Sequence, residues 1–217
     1  MIAHYSHFVF DLDGTLVDSV PGIDAAAGAA LNEVAPETAL PSLRDFIGPP
    51  IRTMLQRALG WTDAARLDTL ERAFRRHYDA GTWRESRPYP GVNETLRELH
   101  AKGGRLHVLT NKPLQATHCI LDFLGWTPLL EAVICPQSSK PPFANKATAA
   151  LDLRERRSLP KTTTLLVGDS TDDQEAAAAA GFNFAAAAWG YGDAAIRHPR
   201  CAVQSFPAIL THPLTPL

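Results

Sequence analysis

One-sided charge, paired cysteines and long apolar runs are all missing from this 217-residue chain. Its 21 basic and 23 acidic residues are interspersed, so there is no electrostatic case for nucleic acid or a membrane surface as partner. Cys119, Cys135 and Cys201 are odd in number and widely spaced, with no C-x-x-C pair and no histidine cluster nearby. That pattern argues against a zinc ribbon or a disulfide framework, and it suits incidental thiols in a reducing compartment. No apolar run approaches the length of a membrane span, and the first apolar segment begins too early to leave room for a signal peptide. The expectation is a cytoplasmic protein. The length suits one α/β domain with an insertion.

What is present begins at Phe8-Val9-Phe10-Asp11-Leu12-Asp13-Gly14-Thr15-Leu16, a short apolar β-type segment running into two carboxylates. Side chains two apart on a strand share a face, so Asp11 and Asp13 are expected to stand together where Gly14 turns the chain. Like charges held that close repel unless a cation lies between them or one is protonated, which points to a divalent metal and to acid/base chemistry. The competing reading is a plain Asp/Gly turn.

From about Val20 to Ala80 helical spacing dominates, most clearly in Ala25 to Leu31, Ile51 to Leu59 and Ala64 to His77. The charged stretch Glu71 to His77 reads as a solvated helix face. Ser86-Arg87-Pro88-Tyr89-Pro90-Gly91 breaks the pattern as a linker. An α/β rhythm follows: strands at Leu106 to Leu109, Ala132 to Ile134 and Leu165 to Val167, helices at Leu114 to Leu124 and Ala144 to Arg154. The alanine run 176–180 reads as a helix ended by Gly181, and 185–188 as a small-residue strand entering Trp189-Gly190-Tyr191-Gly192. The proline-containing tail after Phe206 reads as a loosely held terminus. Strands alternating with helices predict a doubly wound parallel sheet whose ligand site lies beyond the carboxyl ends of the strands. The predicted core is 1–17 with 87–217, and 18–86 is an inserted helical cap.

Three more segments lie at predicted strand ends. In Thr110-Asn111-Lys112-Pro113 a hydroxyl, an amide and backbone N–H groups can hold phosphate oxygens, although Thr or Asn would also serve as a helix N-cap. A phosphate site needs a fixed cation, and two lysines are available. Lys140, in Ser139-Lys140-Pro141-Pro142, precedes a predicted helix and is preferred; Lys146 is the alternative, and either could be an ordinary surface lysine. In Gly168-Asp169-Ser170-Thr171-Asp172-Asp173, Asp169 ends a strand and Asp173 follows one helical turn on, so both can converge on one point. Acids in a first helical turn also stabilise it, and Ser170 with Asp173 resembles a capping box.

Taken in order, D-x-D-G-T, the Thr-Asn-Lys-Pro segment, the lysine and G-D-S-x-x-D resemble the four motifs of the haloacid dehalogenase superfamily. The resemblance covers nearly the whole chain. It implies that Asp11 is a nucleophile forming an aspartyl phosphate and Asp13 a general acid and then base. It also implies that Thr110, Asn111 and Lys140 hold phosphate, and that Asp11, Asp13, Asp169 and Asp173 hold magnesium. The helical cap, Thr110-Asn111-Lys112-Pro113 and the Gly48-Pro49-Pro50 loop are similar to those of the phosphoglycolate phosphatase branch. The implied substrate is a small anionic phosphate ester such as 2-phosphoglycolate, with Arg52 as a candidate for its carboxylate. Open alternatives are a phosphomutase like β-phosphoglucomutase, a sugar-phosphate or nucleotide phosphatase, and a non-catalytic binding protein. A monomer or a homodimer is expected.

Overall fold

The structure is a computed structural model that describes residues 5–192 and 202–210. Cys201 and the tail beyond Leu210 lie outside the described residues. Six strands form a parallel sheet in the order β5-β4-β1-β6-β7-β8. They are β1 (His7–Phe10), β4 (Arg105–Leu109), β5 (Leu130–Ile134), β6 (Thr164–Gly168), β7 (Asn183–Ala187) and β8 (Ala202–Val203). β1 and β6 are buried at every position, as strands covered on both faces must be, so they read as apolar runs and not as alternations.

Two packed layers do the covering. Phe8, Phe10, Leu106 and Val108 face α4 (Val92–Ala101) and α5 (Leu114–Phe123) through Leu96, Leu99, Ile120 and Leu121. Val9, Leu109 and Leu166 face α6 (Lys146–Arg157) and α7 (Thr171–Ala180) through Ala149, Ala150, Leu153, Ala176 and Ala177. The alanine run lets α7 pack closely on α6 and β7, and it stops at Gly181, which takes the left-handed conformation a helix end favours. The chain goes outward from β1 to β4 and β5, then returns to β6 on the other side of β1. That reversal opens a crevice beyond the carboxyl end of β1.

A second, two-stranded antiparallel ribbon joins β2 (Val17–Asp18) to β3 (Arg87–Pro88). Sequence reading took the second of these for a linker, because two residues are too few to show alternation. Between the two strands lie α1 (Val20–Val34), α2 (Ile51–Leu59) and α3 (Ala64–Ala80) with short 3-10 turns and no strand. α1 packs on α3 through Ile23, Ala27, Ala30, Leu70, Ala73 and Phe74, which belong to the same apolar cluster as the sheet. Asp63 starts α3 by accepting hydrogen bonds from the backbone N–H groups of Ala65 and Arg66. At the far end, Phe206–Leu210 form a 3-10 turn with Phe206 and Ile209 buried in the core. The described part of the tail is therefore packed and not loosely held.

Candidate active site

Strand β1 stops at Phe10, but the Asp11 N–H still donates to the Val167 carbonyl at 3.0 Å, which fixes Asp11 at the crevice. The chain then turns at Gly14, whose φ of 87° favours glycine, and Asp13 bridges to Val17. A side chain at Gly14 would also strike Asp169, its Cβ lying 2.2 Å from Oδ2. Asp11 therefore stands just past the end of β1 and Asp13 at the bridge that opens the turn, and each meets its own lysine. Asp11 Oδ1 accepts from Lys146 Nζ at 2.5 Å, and both oxygens of Asp13 accept from Lys112 Nζ, at 3.0 and 3.2 Å.

The remaining acids come from the end of β6 and the start of α7. Asp173 Oδ2 accepts from the Asp169 N–H, the Ser170 N–H and the Ser170 hydroxyl, a reciprocal cap at the helix start. Its Oδ1, fully buried, has no aligned hydrogen bond and lies 2.6 Å from Lys146 Nζ. Asp169 Oδ2 accepts from the N–H groups of Tyr191 and Gly192. Gly192 is required there, since an added Cβ would sit 1.4 Å from the Asp169 carbonyl oxygen.

The lysine that the structure brings to the acids lies six positions beyond the expected one. Lys140 is exposed, whereas Lys146 is buried between Asp11 and Asp173. The cause is the helix start: Asn145 accepts from the Thr148 N–H and Thr148 reaches back to Asn145, so α6 begins at Lys146 and not at Ala144. The Lys140 to Asn145 stretch is spent in an irregular loop. Arg52 is also misplaced. Its guanidinium pairs with Asp68 across α2 and α3, outside the cavity, and the cavity-lining arginine of this segment is Arg75. Thr110 is buried at the end of β4 and its Oγ1 accepts from the Lys112 N–H at 3.1 Å, while Asn111 Nδ2 donates to the Gly48 carbonyl and to Asp172. Lys112, in the same segment as Thr110 and Asn111, is a site residue that the sequence pattern does not mark. The sequence gives no hint that its side chain turns inward under Tyr78, whose ring centre is 5.0 Å from Nζ.

These groups line a cavity of about 390 Å³ between the sheet and the helical segment. Its floor holds Asp11, Asp13, Thr110, Lys112, Lys146 and Asp169, and its opposite wall includes Ile47, Pro50, Met54, Phe74, Arg75 and Tyr78.

The model of the haloacid dehalogenase-like hydrolases matches residues 8–187. The chain belongs to that family. A phosphoglycolate phosphatase of Cereibacter sphaeroides is 39% identical over 198 residues, 87% of each chain, and one of Aquifex aeolicus is 33% identical over 186 residues, 84% of each. A crystal structure named as a predicted phosphoglycolate phosphatase from Haemophilus somnus superposes with a TM-score of 0.83 at 30% identity, covering 95% of this chain and 96% of that one. The expectation of a phosphatase within this hydrolase family holds, as does that of a parallel α/β core.

In this haloacid dehalogenase-like hydrolase, Asp11, Asp169 and Asp173 can hold a metal ion, having one oxygen each within 4.8 Å of the others. The Asp13 side chain is not of that group among the described residues, being turned to Lys112. The electrostatics fit a cation. Among the described residues Lys146 is the only cation paired with this group, and it reaches two of the three buried carboxylates, Asp11 and Asp173, whose Oδ1 is short of donors. Burial, reinforced by Asp173, pushes Asp169 up to about 7 against the two N–H groups that favour its anion. Burial raises Asp11 as well, with Asp173 and Asp169 adding to it and Lys146 opposing. Lys146 itself is held above its ordinary value: burial pulls it down, but Asp11 and Asp173 outweigh that. Oxygen donors with no His or Cys suit a hard cation.

Proposed function

We propose that this protein is a magnesium-dependent phosphomonoester hydrolase that works through an aspartyl phosphate on Asp11, on a small anionic ester such as 2-phosphoglycolate. The observation that carries the reading is the convergence of Asp11, Asp169 and Lys146, with Asp173 buried behind them, on the cavity floor that also holds Asp13. The 39% identity to a phosphoglycolate phosphatase supports the substrate class.

In the first step an Asp11 carboxylate oxygen attacks phosphorus while the bond to the ester oxygen breaks, and the proton held by Asp13 passes to that oxygen. In the second, Asp13 as carboxylate takes a proton from the water that attacks phosphorus, which frees phosphate and restores Asp11. Thr110 and Asn111, at the end of β4, would hold phosphoryl oxygens. Lys146, fixed by Asp11 and Asp173, would supply positive charge where the phosphate gathers negative charge. Magnesium held by Asp11, Asp169 and Asp173 would add charge neutralisation and orientation of the phosphoryl group. The helical segment 18–86 would act as a cap, since it forms the cavity wall opposite the acids and can exclude bulk water.

Hydrolysis of a panel of small phosphate esters tests this. Activity is expected to vanish in excess chelator and to return with magnesium; full turnover in chelator would refute the metal assignment. A clearly higher kcat/KM for sugar phosphates or nucleotides than for 2-phosphoglycolate would refute the substrate class alone.

A further inference from the structure

The phosphatase reading leaves open what recognises the part of the substrate beyond its phosphate. Three cationic side chains line the cavity among the described residues: Lys146, Lys112 and Arg75. Lys146 is taken up by Asp11 and Asp173. Arg75 is nearly half exposed and pairs with Glu71 one turn back along α3. Lys112 differs from both. Its side chain is only 6% exposed, it sits beside the acid that must reach the ester oxygen, and Tyr78 of α3 covers it from the helical side.

We propose that Lys112 is the specificity-determining residue that receives a carboxylate on the leaving group, making the substrates phosphooxy carboxylates with the acid one carbon from the ester oxygen. The inference rests on the phosphatase reading and adds to it the residue and the position of the second anion. Asp13 has to come within hydrogen-bond distance of the ester oxygen, about 3 Å. Because Lys112 Nζ lies 3.0 Å from Asp13 Oδ1, the ammonium is then at most about 6 Å from that oxygen. A carboxylate separated from the ester oxygen by one carbon falls inside this distance. An ammonium has three donors and Asp13 engages at most two, so capacity to bind a second anion remains. Exclusion of water by Tyr78 and the cavity wall strengthens such a pair over one formed at Arg75 near solvent. A neutral alcohol of the same size gains nothing from Lys112.

The test compares 2-phosphoglycolate with 2-hydroxyethyl phosphate, its analogue without the carboxylate, on the wild-type protein and on Lys112→Met, Lys112→Arg and Arg75→Met. Losing a charge-assisted hydrogen bond corresponds to about 10- to 100-fold. Lys112→Met is expected to raise KM for 2-phosphoglycolate by that factor more than it changes KM for the hydroxyethyl ester, with Lys112→Arg restoring part of the selectivity. A loss shared equally by the two esters would overturn the inference, since it would mean that Lys112 only holds Asp13. So would a carboxylate-selective loss in Arg75→Met. Should Lys112→Met fail to fold, product inhibition of the wild-type protein decides the matter: glycolate should compete at concentrations where ethane-1,2-diol does not, and equal competition overturns the inference. A wild-type protein that hydrolyses neither ester overturns this inference, and the phosphatase reading falls with it if no ester of the wider panel is turned over either, whereas equal KM values for both esters overturn the inference alone.

Discussion

Replacing Lys146 with Met would remove the one cation among the described residues that pairs with the buried carboxylates Asp11 and Asp173, and keep most of its apolar stem. In the folded protein Nζ lies 2.5 Å from Asp11 and 2.6 Å from Asp173, with 4% of the lysine side chain exposed. Breaking a buried pair by removing one partner costs about 3–5 kcal/mol, because the remaining charge stays buried. For a chain of this size each kcal/mol shifts Tm by about 2–4 °C, so a drop on the order of 10 °C is expected in metal-free buffer. Loss of one electrostatic stabiliser should also lower kcat by about 10² to 10³. Lys140→Met, on an exposed loop residue, should stay within about 0.5 kcal/mol of the wild type and keep its activity. Thermal unfolding monitored by circular dichroism, alongside initial rates in magnesium, measures both. The reasoning is refuted if Lys140→Met is the damaging change, or if Lys146→Met melts and turns over like the parent protein.

Gly14→Ala forces an L side chain into a left-handed backbone and onto Asp169 Oδ2, 2.2 Å from the added carbon. The backbone term alone is about 1–2 kcal/mol, and displacement of Asp169 should weaken magnesium activation, read as a rise in the magnesium concentration for half-maximal rate. At the far side of the sheet, burial holds His107 down at about 4, stacked on His7 with ring nitrogens 3.5 Å apart. A histidine kept neutral when folded takes up its proton on unfolding. Stability should therefore fall as pH drops from about 6.5 towards 4 and level off below, by about 3 kcal/mol in all. Urea unfolding across that range should show a shallower slope in His107→Leu, and an unchanged slope would discard the assignment.

The acids were legible because each stands where an apolar run gives way to a turn or a helix start, and strands of a parallel sheet must end on one edge. That rule puts Asp11, Asp169 and Asp173 on one edge of the sheet; that they share a metal, with Asp13, is what the family resemblance implies, and the structure groups the first three. The lysine was not legible, since its choice depends on where α6 starts. The signal was present: Asn145 and Thr148 have the spacing of a capping box, which would have placed Lys146 in the first turn. Lys112 and Arg52 could not be assigned from pattern at all. Lys112 turns inward to Asp13, 99 residues away, and Arg52 pairs with Asp68 where α2 packs on the next helix. The β2 and β3 ribbon has too few residues for a period to show. α4 was passed over, although Val92, Leu96 and Leu99 recur at helical spacing and are all buried.

The central claim is that the phosphoryl group passes through Asp11. The stereochemical course at phosphorus tests it most directly, using a phosphorothioate ester made chiral at phosphorus with sulfur and two oxygen isotopes and hydrolysed, with magnesium present, in water of the third isotope. Two successive in-line displacements, one by Asp11 and one by water, each invert the centre, so net retention is predicted. Net inversion would mean that water attacks the ester directly, and it would contradict the account.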